Sequence, residues 1–259
     1  MTKNQTQMDK DLKAMAGRLR LTFIRNNMDV MLNNVIEAKS TPREVLTYFL
    51  EKELEQREHN RGKQMVQGAH FPAIKTMEEF DFEAQPSIDA GVIRDLSTMD
   101  WVRTGRNLAL FGPTGVGKTH LAIALGFLAI AQGLSVRFYN AAQLVSILSK
   151  AHKDGVLESR LKEINKYHLL IIDEVGYIPF SPDAAYLLYH IVNRRYEKKS
   201  IIVTGNRPPA EWGEIFGDSS AAEAVLDRLL HHCTIMTIIG DSYRMREHQK
   251  ANLAKKPVV

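Results

Sequence analysis

Gly112-Pro113-Thr114-Gly115-Val116-Gly117-Lys118-Thr119 sets two glycines, a lysine and a hydroxyl residue at the spacing of a phosphate-binding loop. Glycines let backbone N–H groups turn inward around phosphate oxygens, and a helix N-terminus adds a favourable partial charge. Lys118 is then placed to reach the β- and γ-phosphates of ATP, and the Thr119 hydroxyl to ligate Mg2+. His120 follows at the start of the helix and counts with the nucleotide-binding stretch. The flanks agree: Asn107–Phe111 reads as an apolar strand and Leu121–Gln132 as a helix. With ordinary residue usage such a match arises by chance about once in a hundred chains of this length.

Leu169-Leu170-Ile171-Ile172-Asp173-Glu174 is a second candidate, an apolar run ending in two carboxylates. A strand buried on both faces reads this way, and ligands of α/β sheets gather at strand carboxyl ends. Downstream of a phosphate loop, Asp173 is expected in the Mg2+ shell, and Glu174 is expected to orient and deprotonate the attacking water. The run Ser200–Thr204 leads into Gly205-Asn206, where Asn206 either meets the γ-phosphate or lytic water or stabilises a turn. Arg228 lies in the helical pattern Ala224–Leu230, either as a snorkelling or salt-bridged side chain or as an arginine finger for a neighbouring subunit. Arg244 and Arg246 offer a last cation for the γ-phosphate or form a solvated basic end.

These groups need a frame. From Asn107 onward short apolar runs alternate with helical stretches, the mark of an α/β domain with a mostly parallel sheet. The expected strands are Leu108–Phe111, Ser135–Tyr139, His168–Asp173, Ser200–Thr204 and Thr234–Ile238. Residues 1–70 read as a helical domain, 71–106 as a linker and entry segment, and 107–259 as the nucleotide domain. In the first part Met8, Leu12, Met15, Leu19 and Phe23 share one helix face. Thr41 and Glu44 match a capping box with Pro42 at the first helical position, so a helix is expected to about Gln67, burying Val45, Leu46, Phe49, Leu50 and Leu54.

Composition sets the bounds. The 259 residues are 44% hydrophobic and 25% charged, ordinary globular usage that excludes disorder over most of the chain. A net charge of +4 permits a polyanionic partner without establishing one. The excess sits early: residues 1–70 carry 12 Lys and Arg against 9 Asp and Glu. The lone Cys233 excludes a disulfide framework and reads as a small buried apolar residue. The longest apolar run, Leu121–Ala131, falls short of the ~20 residues that span a bilayer, so a cytoplasmic protein with no membrane partner is expected. His231 and His232 suggest a metal, but no third ligand stands at a fitting spacing. Phe80 and Phe82 are expected in the core rather than against a base.

Taken in order, Gly112–Thr119, Leu169–Glu174, Thr204–Pro209 with Glu211-Trp212, Asp227-Arg228-Leu229 and Ser242-Tyr243-Arg244 resemble the AAA+ ATPases of the initiator and helicase-loader branch. Together with Pro42–Leu54 and Met77–Phe82 they resemble most the IstB-type transposition helper ATPases of insertion sequences, and next the DnaC helicase loaders. The resemblance implies a five-stranded parallel sheet between helices, a small helical N-terminal domain and, with so short an ending, a reduced or absent lid. It implies Asn206 as sensor 1, Arg228 as the trans-acting finger and Arg244 as sensor 2. It places helices Ala141–Lys153 and Val156–Lys166 as an insertion that can face DNA, making Lys150, His152, Lys153, Arg160 and Lys162 available; these fit a solvated face equally. The implied cofactors are ATP and Mg2+. The implied partners are duplex DNA, a transposase and further copies of the chain in a ring or helix; the alternative is a DnaC-like loader of a replicative helicase. A GTPase is disfavoured, because Asn165-Lys166-Tyr167-His168 lacks the base-reading Asp.

Overall fold

The computed structural model describes residues 3–177, 182–216, 219–243 and 245. The chain divides into two compact units, Met1–Gln64 and Met65–Val259.

The first unit is helical: α1 (Lys3–Arg18), α2 (Thr22–Glu37) and most of α3 (Pro42–Ala69). The capping box forms as its residue types dictate. The Thr41 N–H donates to Glu44 Oε2 at 2.7 Å and the Glu44 N–H to Thr41 Oγ1 at 3.4 Å. Ala16, Ile24, Met28 and Met31 make a small core with Tyr48 and Phe49 against it. Glu53 accepts the Phe23 and Ile24 N–H groups at 2.9 and 3.0 Å, satisfying donors that the start of α2 leaves open. Leu46, Leu50 and Leu54 depart from expectation: they are exposed. Their spacing of four puts them on one face of α3, whereas Tyr48 and Glu53 serve α2, so the apolar pattern here exceeds what the small core covers.

In the second unit α4 (Ala90–Ser97) and α5 (Asp100–Arg103) precede β1 (Asn107–Phe111), α6 (Lys118–Ala131), β2 (Val136–Asn140), α7 (Ala141–Lys153) and α8 (Leu157–Ile164). Then follow β3 (Leu169–Val175), α9 (Pro182–Arg195), β4 (Ser200–Gly205), α10 (Trp212–Phe216), α11 (Ser219–Leu230) and β5 (Cys233–Thr237). The five strands form one sheet in the order β2-β3-β4-β1-β5, every pair parallel. Both faces are covered. Leu108, Leu110, Ile171 and Ile202 pack with α6 and with Ile88, Ile93, Leu96 and Trp101 of the entry segment. Ala109, Phe111, Leu170, Ile172 and Val203 face α7, α9, α10 and α11. Residues 71–106 thus hold two helices and part of one core layer, more than a spacer would.

β1, β4 and β3 as far as Asp173 read as apolar runs because neither face meets water, whereas β5 at the sheet edge is exposed at three of its five positions. β1 and β4 are buried at every position. Cys233 is half-buried, and burial pushes its thiol up to about 12. Among the described residues no helix is long and apolar enough to cross a membrane. The strand order sets the carboxyl ends of β3, β4 and β1 side by side.

Candidate nucleotide-binding site

The loop after β1 turns through three glycines of positive φ, Gly112 (143°), Gly115 (86°) and Gly117 (99°). None of the three leaves room for a Cβ, and one on Gly115 would stand 2.2 Å from Ser242 Oγ. A Cβ on Gly112 would stand 2.1 Å from the Ile238 carbonyl oxygen, and one on Gly117 would stand 2.6 Å from the Phe80 ring. Lys118 opens α6 and is buried; its Nζ donates to the Gly112 and Pro113 carbonyls at 2.7 and 2.6 Å. The lysine thus sits over the loop, at the point where phosphate oxygens can replace those carbonyls. Val116 is fully buried and anchors the loop in the core. Thr114 pairs with the Tyr177 hydroxyl across the site. His120 reaches sideways: its Nε2 lies 2.8 Å from the Thr76 carbonyl, and its ring meets Phe80 edge-on at 5.2 Å.

Asp173 is buried at the end of β3, and Oδ1 accepts both the Thr119 hydroxyl at 2.8 Å and the Thr204 hydroxyl at 2.6 Å. Burial pushes its carboxyl above the ordinary carboxylate value, against the opposing hydrogen bonds from Thr204 and Thr119. The pair Thr119–Asp173 offers the hard oxygen donors that suit Mg2+. The raised pKa has a consequence. Its contribution to stability is present below the unfolded value of 3.8 and is lost as pH rises through the folded one. At neutral pH the nucleotide-free Asp173→Asn protein, which keeps an acceptor for both hydroxyls, should therefore melt higher than wild type. The gap should close as pH falls below the carboxylate range. A thermal melting series against pH checks this, and a gap independent of pH would rule out the cause.

Next to Asp173 the β3–β4 register shifts between Ile172 and Val175. Glu174 takes φ 63° in this irregularity, and its N–H donates to Thr204 Oγ1 at 3.0 Å. Such a bulge re-aims a side chain beside a site. The Glu174 carboxylate turns outward, where Asn140 Nδ2 donates to Oε2 at 2.6 Å. Asn140 was missed in the sequence. It ends β2, and its other amide atom caps α7 by accepting the Ala142 N–H at 3.0 Å. The cap is legible in sequence; the link to Glu174 is not.

A cavity of about 560 Å3 joins these parts. Its walls include Gly115–His120, Glu174, Thr204 and Gly205, and also Ile74, Phe80, Gln85 and Tyr243. The Tyr243 N–H donates to the Gly115 carbonyl at 3.0 Å, so the segment after β5 closes over the loop. Phe80 is a core residue, as expected, but it also borders the cavity. Arg244 and Arg246 lie outside the described residues.

Other predicted residues stand apart. Asn206 is exposed just beyond β4. Arg228 does not line the cavity of its own chain. It is held between α9 and α11: Nε donates to Asn193 Oδ1 at 3.0 Å, Nη1 donates to the Ala224 carbonyl at 3.2 Å, and the guanidinium lies 5.0 Å from the Tyr189 ring centre. Lys150, Lys153, Arg160 and Lys162 are exposed on α7 and α8, with Arg160 paired to Glu163 at 2.7 Å. The expectation that His231 and His232 lack a third ligand is corrected. The turn after α9 brings Glu197 to them, with ligand atoms of all three within 4.8 Å of one another.

The family model described as IstB-like ATP binding protein matches residues 14–251. The chain belongs to that family. An ATP-binding protein of insertion sequence IS21 from Pseudomonas aeruginosa is 41% identical over 95% of this chain and 93% of its own length. One of insertion sequence IS5376 from Geobacillus stearothermophilus is 40% identical, over 89% and 92%. Among solved structures, AMPPCP-bound DnaA from Aquifex aeolicus shares the fold, with TM-score 0.54 and 20% identity over 73% of this chain and 58% of that one. The sheet with its flanking helices thus has the fold of that DnaA, and by family the chain is an IstB-like ATP binding protein.

Proposed function

We propose that this IstB-like protein hydrolyses ATP, assembles as a ring or helix on duplex DNA and prepares that DNA for the transposase of its insertion sequence. The observation that carries the reading is the convergence of Lys118, Thr119, Thr204 and Glu174 on one cavity at the carboxyl ends of three adjacent strands, with Asp173 accepting the hydroxyls of both threonines. Likeness to insertion-sequence proteins across more than nine-tenths of the chain favours transposition over helicase loading.

Loop N–H groups and Lys118 would hold the β- and γ-phosphates once Lys118 leaves the Gly112 and Pro113 carbonyls. Mg2+, held by Thr119 and through Asp173, would neutralise charge on the phosphate oxygens. Glu174 would take a proton from the attacking water after Asn140 releases its carboxylate, and Asn206 would orient that water. Arg228 would complete the site on the adjoining copy, so ATP would stabilise the assembly and hydrolysis would end it. Lys150, Lys153, Arg160 and Lys162 would meet DNA phosphates, largely without regard to sequence and with steep salt dependence.

Direct imaging of the protein with ATP and long duplex DNA tests the reading, with Lys118→Ala as control. Wild type should form ordered assemblies that ATP promotes. Lys118→Ala should lose measurable ATP binding and the assemblies with it. Retained nucleotide affinity in that variant would remove the loop assignment, and preference for single strands would favour a helicase loader.

A further inference from the structure

We propose that Gln85 reads the base of the nucleotide, its side-chain amide matching the donor and acceptor on one edge of adenine. The inference rests on the reading of the cavity as the ATP site. Gln85 is 2% exposed, and both its Oε1 and Nε2 are buried without a hydrogen-bond partner among the described residues. A buried amide left unmatched costs stability, so such a group calls for a reason. Backbone geometry does not supply one. The Gln85 N–H donates to the Phe82 carbonyl at 3.1 Å, and its carbonyl accepts the Ile88 N–H at 3.1 Å; neither bond uses the amide. Packing does not supply one either, since an apolar side chain of the same shape would fill the space at no polar cost.

Position does supply a reason. Gln85 borders the same cavity as the phosphate loop. Gly240 approaches it so closely that a Cβ there would stand 2.7 Å from Oε1, and two residues on, Ser242 packs on Gly115. Gln85 is thus one chain segment away from the loop. With the phosphates fixed at Gly115–Thr119, the base must use the rest of the wall. There Ile74 and Phe80 offer apolar surface for a flat ring, and the unmatched Gln85 amide offers hydrogen bonds for its edge. Adenine sets an amino donor beside a ring-nitrogen acceptor, which a carboxamide pairs in two bonds. On the N7 edge guanine sets two acceptors, O6 and N7, which one carboxamide cannot pair as it pairs adenine N6 and N7.

The test is Gln85→Leu in the full chain, with binding of ATP, GTP and purine riboside triphosphate, which is ATP without the 6-amino group. The thermal midpoint of the nucleotide-free protein is measured alongside. Wild type should prefer ATP over the analogue by about tenfold, the discrimination of one good amide pair. In Gln85→Leu that preference should fall to about one and the preference over GTP should shrink, while the nucleotide-free midpoint holds or rises because an unmatched polar group is gone. Gln85→Glu, which keeps the shape but loses the donor, should also lose ATP affinity and serves if the leucine variant does not fold. The same ATP-to-analogue ratio in wild type and variants overturns the proposal while leaving ATP binding intact. Failure of the unaltered chain to bind any nucleotide would overturn the site reading and the proposal with it.

Discussion

ATP turnover by Glu174→Gln should fall by roughly 10²–10⁴-fold, the usual contribution of a positioned general base, while ATP remains bound. The substitution changes one atom at the tip of a side chain already placed by its backbone. Glu174 holds φ 63°, and its N–H is tied to Thr204, so the variant tip should start from the same place. A glutamine oxygen can still accept from Asn140, and Lys118 and the loop are untouched. Binding should therefore survive and chemistry should not. Phosphate release and nucleotide affinity, measured on the same sample, separate the two. Because hydrolysis would end the assembly, the variant should also persist on duplex DNA with ATP. Unchanged turnover would show that Glu174 is not the base, and Asp173, buried under two hydroxyls, is poorly placed to replace it.

How far the site could be read from sequence follows from what each part needs. The phosphate loop needs particular residue types at fixed spacing, since Gly112 and Gly117 leave no room for a Cβ. That requirement is local and shows in the letters. The tip of β3 is legible for a related reason: a strand buried on both sides must be apolar until it meets the ligand edge, so Asp173 stands out where the run ends, whereas the bonds of Thr204 to Asp173 and Glu174 do not show in the β4 run. Contacts closed by the fold leave no such mark. Asn140 looks like an ordinary helix cap, and its second partner lies 34 residues away. Glu197 reaches His231 and His232 only because a turn with φ 57° and the end of α11 meet in space. Gln85 sits between Ala84 and Pro86, and nothing in that string distinguishes a buried amide from a loop residue. The Leu46, Leu50 and Leu54 stripe misleads in the other sense. Periodicity reports that a face is apolar, not whether anything covers it.

Arg228→Ala should lower ATP turnover by about 10³–10⁵-fold, the range for arginine fingers, without weakening the binding of ATP to the single chain. The second half of that expectation follows from geometry. Arg228 is spent on Asn193, Ala224 and the Tyr189 ring, and it does not border the cavity of its own chain. A purely structural role would give a different pattern. Loss of those contacts would lower the melting temperature and would leave turnover per folded chain unchanged. The decisive measurement mixes Arg228→Ala with Glu174→Gln, two chains that each bind ATP and that fail for different reasons. Where a Glu174→Gln copy offers its Arg228 to the intact Glu174 of an Arg228→Ala copy, a working site is rebuilt. Random head-to-tail assembly at equal amounts places such a pair at about a quarter of the interfaces. Turnover in the mixture should therefore rise well above that of either variant alone, and should do so only with ATP and DNA at concentrations that permit assembly. If no ratio restores activity although both chains enter the same assemblies, Arg228 does not act across a subunit boundary, and the site must be complete within one chain.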